Sequence, residues 1–197
     1  MAKMNVPSGS NCLDVATGTG DWALALAKAV GSQGRVVGLD FCQEMLDVAE
    51  PKLQQGGVAK VTELVHGNAM ALPFQDASFD FATIGFGLRN VPDIVQVLRE
   101  MTRVVKPGGM IVSLELSKPT WKPFRALYYF YFYRMLPVIG KMAVGKWAPY
   151  RWLPQSLVAF PDRFALAAIF TEAGLEHVEH YALTGGICAL HSGRKPK

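Results

Sequence analysis

A glycine turn near the start of the chain has residue types and spacing that suit ligand binding. An apolar stretch at residues 12–15 runs into Gly18-Thr19-Gly20, and a helical pattern begins at Trp22. A strand that turns into a helix through Gly-x-Gly leaves backbone N–H groups and a helix N-terminus facing an open crevice. This arrangement is typical of a site for a nucleotide-like cofactor, with Gly18 and Gly20 as binding residues.

Asp14, four residues ahead of Gly18, bears on which cofactor the turn takes. The spacing Gly18-x-Gly20-x-x-Ala23 also fits the relaxed dinucleotide fingerprint of NAD enzymes, with Asp40 as the ribose-binding acid about 20 residues further on. An acid beneath the loop would repel the pyrophosphate of NAD but attract the sulfonium and amino groups of S-adenosylmethionine (SAM). Asp14 therefore favours SAM, and NAD is the alternative.

The ends of the second and third predicted strands offer further contacts for such a cofactor. Asp40 ends a short apolar strand and could accept hydrogen bonds from both ribose hydroxyls, while Phe41 could lie against an adenine face. Asn68 could hydrogen-bond the adenine edge, and the small Ala69 would leave room for the ring. The simpler alternatives are that Asp40 caps the following helix and that Asn68 is a turn residue.

The fourth predicted strand, residues 78–84, leads into Gly85, and an Arg89-Asn90 pair follows. Glycines and an Arg-Asn pair at the carboxyl end of a strand are unusual in a simple connection. We predict that Gly85 lies in the cofactor crevice and that Arg89 and Asn90 act on a second substrate. A structural salt bridge for Arg89 and a turn position for Asn90 are the alternatives.

Strand and helix patterns alternate along the chain, as a parallel sheet requires. The first strand ends at the glycine turn, and further strand patterns cover residues 35–40, 61–66, 78–84, 110–115, 175–183 and 187–191. Helical patterns cover residues 22–30, 41–54, 93–105 and 162–173. The tight turn Thr184-Gly185-Gly186 joins the last two strands, which must therefore be antiparallel. The sequence predicts an α/β fold with a seven-stranded, mostly parallel sheet and an antiparallel last strand, which is the layout of SAM-dependent methyltransferases.

Composition bounds the size and surroundings of the molecule. The chain has 197 residues, half of them hydrophobic, which is enough for one α/β domain with a sizeable core. The formal charge of +4 comes without Lys/Arg blocks, so we expect no nucleic-acid partner. Three cysteines far apart and four histidines without ligand spacing predict no metal site and suit a reducing cytoplasm.

The motifs together resemble the menaquinone/ubiquinone-biosynthesis C-methyltransferase family, and the details are most similar to its Gram-positive demethylmenaquinone methyltransferase branch. The likeness runs from about residue 4 to the end, and Gly-Phe-Gly-Leu-Arg-Asn-Val at 85–91 is specific to this family among methyltransferases. Further matching motifs lie at residues 14–21, 67–69, 72–74, 103–109, 136–137 and 183–186. The resemblance implies the α/β, Rossmann-like fold of class I SAM-dependent methyltransferases, SAM as cofactor, and methylation of a ring carbon of demethylmenaquinol.

The resemblance also implies roles for six residues, four toward the cofactor and two toward the substrate. They are Thr19, Asp40, Asn68 and Ala69 for the cofactor, and Arg89 and Asn90 for the substrate. In the expected reaction a hydroquinol ring carbon displaces the sulfonium methyl directly, Arg89 holds the phenolate charge, and Asn90 orients the ring. His191, at the end of the last strand, or a water molecule is the candidate proton acceptor.

Between Glu115 and Asp162 the chain has no acidic residue, seven basic residues and about half of its aromatic residues. We expect a helical substrate cap at about residues 117–160, within a single domain of residues 1–197. Aromatic residues with cations and no acids suit both an anionic membrane surface and a pocket for a quinone tail. Arg134 and Pro137 interrupt the apolar run well short of the ~20 residues that a spanning helix needs. A cap whose aromatic residues only cover the sheet is the alternative.

The start of the chain departs from the family, which normally has one or two helices before the first strand, including a Tyr that closes over donor and substrate. We therefore expect a partial chain in which SAM binding is weakened. We also expect a cytoplasmic protein at the inner face of the membrane. The sequence leaves open whether the protein forms a homo-oligomer. The competing functions are methylation of a related ubiquinone or phylloquinone precursor, NAD-linked redox chemistry, and a non-catalytic membrane-associated binding module.

Overall fold

The computed structural model describes residues 4–119 and 160–197, with five single positions between them (121, 123, 125, 126 and 128). Most of the cap predicted at residues 117–160 lies outside these ranges. Within the described part of the chain, no helix is both long enough and apolar enough to cross a membrane.

A seven-stranded sheet forms the centre of the molecule, in the order β3-β2-β1-β4-β5-β7-β6. The strands are β1 (Asn11–Val15), β2 (Arg35–Asp40), β3 (Thr62–His66), β4 (Phe79–Gly85), β5 (Val105–Leu116), β6 (Glu176–Leu183) and β7 (Cys188–Arg194). The first five strands are parallel, whereas β7 runs antiparallel to both of its neighbours. The predicted fold class and the antiparallel last strand are therefore confirmed.

In the described part of the chain, four α-helices cover the two faces of this sheet: α1 (Asp21–Val30), α2 (Gln43–Gln55), α3 (Ile94–Val104) and α4 (Arg163–Glu172). The side chains of α1 pack with Leu53 of α2 in one apolar cluster, and those of α3 and α4 pack in a second cluster. Asp93 and Asp162 cap α3 and α4 because their carboxylates accept backbone N–H groups of the first turn. The two clusters hold the sheet rigid between them.

The order of the strands reverses at β1, which lies between β2 and β4. Crossover helices leave to opposite faces at such a point, so a crevice opens at the carboxyl ends of the strands. The loops after β1, β2, β3 and β4 all meet at this edge. These loops contain most of the site residues predicted from the sequence.

Candidate cofactor and substrate site

A cavity of about 670 Å³ opens at the carboxyl ends of the strands, beside the glycine turn. Its volume falls within the range of roughly 300–1,000 Å³ that small-molecule sites have. Of the eleven residues that we predicted for the site, seven line the cavity and four lie outside its wall. The seven are Gly18, Asp40, Phe41, Asn68, Ala69, Gly85 and Asn90.

The glycine turn has the left-handed backbone that its sequence predicts. Gly18 has φ of +54° and Gly20 has φ of +80°. A Cβ added to Gly18 would meet no protein atom within 4 Å, because this residue faces the open cavity. A Cβ on Gly20 would lie 3.0 Å from the Cβ of Ala49, so Gly20 serves the packing of the turn against α2. Gly20 does not line the cavity, and its predicted contact with the cofactor stays a prediction.

Asp40 joins the glycine turn to the loop after β2. Its carboxylate accepts the Gly18 N–H at 2.7 Å and the Cys42 N–H at 2.9 Å. Cys42, not Asp40, is the N-cap residue of α2, so the alternative that Asp40 caps this helix is wrong. Each carboxylate oxygen has a further lone pair, which leaves Asp40 able to accept hydrogen bonds from a ligand hydroxyl.

Asp14 lies beneath the turn and is only 1% exposed. Its two oxygens accept hydrogen bonds from the hydroxyls of Thr17 at 2.6 Å and Thr83 at 2.7 Å. Burial raises the pKa of Asp14 from 3.8 to about 6, and the two hydroxyl bonds oppose that rise. Asp14 is thus buried beneath the turn and does not line the cavity, and its predicted effect on the cofactor stays a prediction.

Thr19 points away from the cavity, toward α2. Its hydroxyl donates to Asp21 at 3.0 Å and accepts from the Lys52 ammonium at 3.0 Å. Lys52 also donates to Asp21 at 3.1 Å and so ties α2 to the turn. Thr19 therefore does not line the cavity, and its predicted contact with the cofactor stays a prediction. Sequence reasoning missed Lys52 because it lies 33 positions from Thr19.

Apolar side chains form much of the cavity wall. Phe41 is 75% exposed and lies against the ring of His66, with the centroids 6.1 Å apart. Met45 lies beside Phe41 in the same wall. The side-chain oxygen of Asn68 accepts the Met70 N–H at 2.9 Å, which stabilises a turn. Asn68 also lines the cavity. An aromatic ring of a ligand would find flat apolar surface on this side of the cavity.

Arg89 stands behind the opposite wall, at the end of β4. Its Nη1 donates to Oε2 of Glu115 at 2.8 Å, and the two side chains are 13% and 1% exposed. Its guanidinium also lies 5.4 Å from the ring of Phe86, which does line the cavity. Arg89 therefore forms a buried salt bridge, which is the structural alternative to its predicted role. Asn90, in contrast, lines the cavity.

Glu115 is the site residue that sequence reasoning missed most clearly. It lies in β5 immediately after Leu114, which pairs with Gly85 of β4. Burial raises the pKa of its carboxyl group, and the charge of Arg89 opposes that rise. The available signal was its position as the last acid before the acid-free stretch, at the end of a predicted strand.

His191, the candidate proton acceptor, lies away from the cavity. Its side chain is 1% exposed, and its Nε2 is 2.8 Å from the backbone oxygen of Arg163. Burial lowers the pKa of His191 and favours the neutral ring. His191 is therefore part of the packing between β7 and α4.

The groups in the cavity wall fit a cofactor of adenosine type that carries a positive charge. Asp40 is the one charged residue among the described residues of the wall. An anionic pyrophosphate would meet this carboxylate without a cation to balance it, whereas a sulfonium and an amino group would meet it favourably. Gly18 leaves space above the turn, and Phe41 offers a surface for adenine.

Comparison with known proteins gives matches over the whole chain. The sequence model of the ubiE/COQ5 methyltransferase family matches residues 1–195. The demethylmenaquinone methyltransferase of Shouchella clausii is 53% identical over 196 residues, which cover all of this chain and 83% of that protein.

Solved structures of low sequence identity share the fold. A SAM dependent methyltransferase from Aquifex aeolicus has a TM-score of 0.72 at 21% identity, over 98% of this chain and 85% of its own. The [4+2]-cyclase SpnF has a TM-score of 0.75 at 20% identity, over 99% of this chain and 79% of its own. Since a methyltransferase and a cyclase share one architecture, the fold alone does not assign the chemistry.

Proposed function

We infer the function of this chain from the premise that it belongs to the ubiE/COQ5 methyltransferase family. It is a methyltransferase, and SAM is its cofactor. We propose that it methylates a ring carbon of demethylmenaquinol and so forms menaquinol. The identity of 53% to a demethylmenaquinone methyltransferase over the whole chain supports this choice of substrate.

The observation that carries the proposal is one cavity that contains polar groups suited to the cofactor together with apolar surface suited to a quinol. Its wall contains Gly18, Asp40 and Asn68, which suit the ribose and adenine of the cofactor. The same wall contains Phe86 and Val91, whose apolar side chains suit a bicyclic quinol. Direct methyl transfer requires donor and acceptor in one water-poor space with their carbons aligned.

The residues of the chain bind and orient the two reactants, while bound SAM supplies an electrophilic methyl group. Asp40 would hold the ribose hydroxyls, and Asn90 would donate to a quinol oxygen. Arg89 would favour the phenolate over the phenol from behind the wall, because a fixed positive charge stabilises developing negative charge in a low-dielectric site. Its ion pair with Glu115 moderates that effect.

The test is a methyl-transfer assay with demethylmenaquinol kept reduced, together with calorimetric titration of SAM and NADH. We expect saturable SAM binding, no NADH binding and one methyl group transferred per quinol. Asp40→Asn should weaken SAM binding about tenfold or more, because an amide replaces the charged acceptor. Asp47→Asn is the matched control, since Asp47 lies on α2 and is absent from the wall of this cavity.

The choice of quinol requires a competition experiment. Equal amounts of demethylmenaquinol and of the demethylated precursors of ubiquinone and phylloquinone would be offered to the protein in one mixture. Preferred methylation of demethylmenaquinol supports the proposal, and preferred methylation of another precursor overturns it. SAM binding without methyl transfer to any of them would instead favour the non-catalytic binding module.

We also propose that the protein associates with the inner face of the cytoplasmic membrane. The support is the acid-free, aromatic and basic composition between Glu115 and Asp162, which suits anionic headgroups. Co-sedimentation with vesicles of anionic phospholipid, but not with vesicles of phosphatidylcholine alone, is the expected result. Absence of binding to either kind of vesicle would overturn this part of the proposal.

A further inference from the structure

Glu115 has an environment that stability alone does not explain. It is 1% exposed, and only its Oε2 has an ion-pair partner, the Nη1 of Arg89. Its Oε1 is buried and has no hydrogen bond of good geometry, although the backbone N–H groups of Leu88 and Arg89 also interact with this carboxyl group. A buried, incompletely paired carboxylate is costly, and an apolar residue of similar size would often be as stable.

Two more buried polar groups near Glu115 are in this condition. Ser113 lies two positions before Glu115 on the same face of β5, because successive residues of a strand alternate between its faces. Ser117 lies directly after the end of β5. The hydroxyl oxygens of both serines are buried and likewise lack hydrogen-bond partners among the residues described. The incomplete pairing is therefore concentrated around Glu115, at the carboxyl end of β5.

Contacts lead from Glu115 to the cavity in two steps. Glu115 holds Nη1 of Arg89, and the guanidinium of Arg89 lies over the ring of Phe86. Because a guanidinium is planar, fixing one nitrogen and one face leaves its other N–H donors in a single orientation. Phe86 and Asn90, on either side of Arg89 in the chain, both line the cavity.

We propose that Glu115 is a positioning residue for methyl transfer: it fixes the guanidinium of Arg89 and thereby the segment 85–91 that forms the substrate side of the cavity. This inference rests on the proposed function of that segment. Glu115 itself does not line the cavity, so its effect must pass through the guanidinium of Arg89 and the backbone of Leu88 and Arg89. Its removal should disturb the quinol and leave the cofactor side unchanged.

The test is Glu115→Gln, which keeps the shape and an acceptor oxygen but removes the charge. We expect kcat for demethylmenaquinol to fall by about 10²-fold, as small misplacements of a reacting group do. The dissociation constant of SAM should stay within about twofold of its original value. Glu63→Gln is the matched control, because Glu63 is also a strand residue paired with an arginine, Arg35, but that pair is exposed.

A binding measurement decides the inference without turnover. The probe is 1-naphthol, a bicyclic phenol, titrated into the SAM-bound protein by calorimetry. Glu115→Gln should weaken its binding about tenfold, and Glu63→Gln should not change it. If the wild-type protein binds the probe but methylates no quinol, the proposed function fails while the probe still decides the role of Glu115.

A double-mutant cycle separates positioning from a general loss of structure. Each single variant leaves the charge of the other residue without its ion-pair partner, whereas the double variant removes both charges. In an Arg89→Gln background, Glu115→Gln should therefore cause little further loss of kcat or probe affinity. Unchanged kcat and unchanged probe affinity in the folded single variant would overturn the inference. A further loss in the double variant as large as that in the single variant would overturn it too, because Glu115 would then act without Arg89.

Discussion

Asp14 is a buried carboxylate that joins the glycine turn to the neighbouring strand. Its carboxylate links Thr17 in the glycine turn to Thr83 in β4, and both bonds are within 2.7 Å. Its pKa is about 6 because the charged form loses its hydration on burial. Close to neutral pH, a small change in its surroundings therefore alters its charge.

The raised pKa of Asp14 in the folded state predicts how the stability of the protein depends on pH. The neutral form of Asp14 is favoured by folding, so its stabilising contribution is complete below pH 4 and is lost as the pH rises through 6. Two pKa units correspond to about 3 kcal/mol. The free energy of unfolding of the wild type, relative to Asp14→Asn, should fall by about this amount between pH 4 and pH 7. Urea titrations at several pH values measure it, and a constant difference would contradict the assigned pKa.

The charge of a bound ligand should also change the pKa of Asp14. A cationic cofactor above the turn favours the ionised carboxylate and lowers the pKa of Asp14. Binding of SAM at pH 6 should therefore release a fraction of a proton to the solvent. Calorimetry in buffers of different ionisation enthalpy measures this release. It should vanish in Asp14→Asn, and equal release in both proteins would assign the proton to another group.

The two glycines in the turn between β1 and α1 differ in what surrounds them: Gly18 faces the cavity and Gly20 packs against α2. Gly18 and Gly20 both have positive φ, so an alanine at either position costs about 1–3 kcal/mol of stability. Only the methyl group at residue 18 would enter the cavity, because at residue 20 it would press on Ala49. Gly18→Ala should lose SAM affinity at least about tenfold, whereas Gly20→Ala should keep it. Equal losses of affinity would contradict the packing role of Gly20.

The loop after β3 depends on a contact from helix α3. Arg103 donates to the backbone oxygens of Phe74 and Leu72 at 2.8 and 2.9 Å, and its Nε donates to Glu100 at 2.8 Å. These bonds attach α3 to the segment that follows Asn68. A guanidinium can serve all of these acceptors at once because its donors are spread over a planar fork.

Arg103→Lys should therefore destabilise the protein by about 2–3 kcal/mol, because an ammonium cannot replace the fork and leaves carbonyl groups unpaired. SAM affinity should fall as well, since the loop positions Asn68 and Ala69 in the wall. Arg99→Lys is the matched control on the same helix, where the pair with Glu172 is exposed and long at 3.6 Å. Loss of stability without loss of SAM affinity would separate Arg103 from the site.

At the scale of the whole molecule, sequence patterns predict what depends on local order. Helix and strand positions follow from apolar periodicity, and the crevice follows from the parallel order of the strands. Gly18 and Asp40 could be assigned because each lies directly after a recognisable strand. Glu115 could not be assigned to Arg89 in this way, because the two residues are 26 positions apart and meet only across β4 and β5. Side-chain pairing between strands leaves no periodic signal in the sequence.

The same order of strands predicts where the cofactor should protect the backbone. All contacts proposed for SAM lie in loops at the carboxyl edge, so its binding should slow amide hydrogen exchange there by stabilising the closed state. Protection is expected around Gly18, Asp40 and Asn68. The hairpin of β6 and β7 lies at the far edge of the sheet, and the segment 106–109 lies at the opposite ends of the strands. Exchange measured by mass spectrometry with and without SAM should leave both regions unchanged. Equal slowing in the hairpin and in the glycine turn would mean that SAM stabilises the fold globally, and it would contradict a site confined to one edge of the sheet.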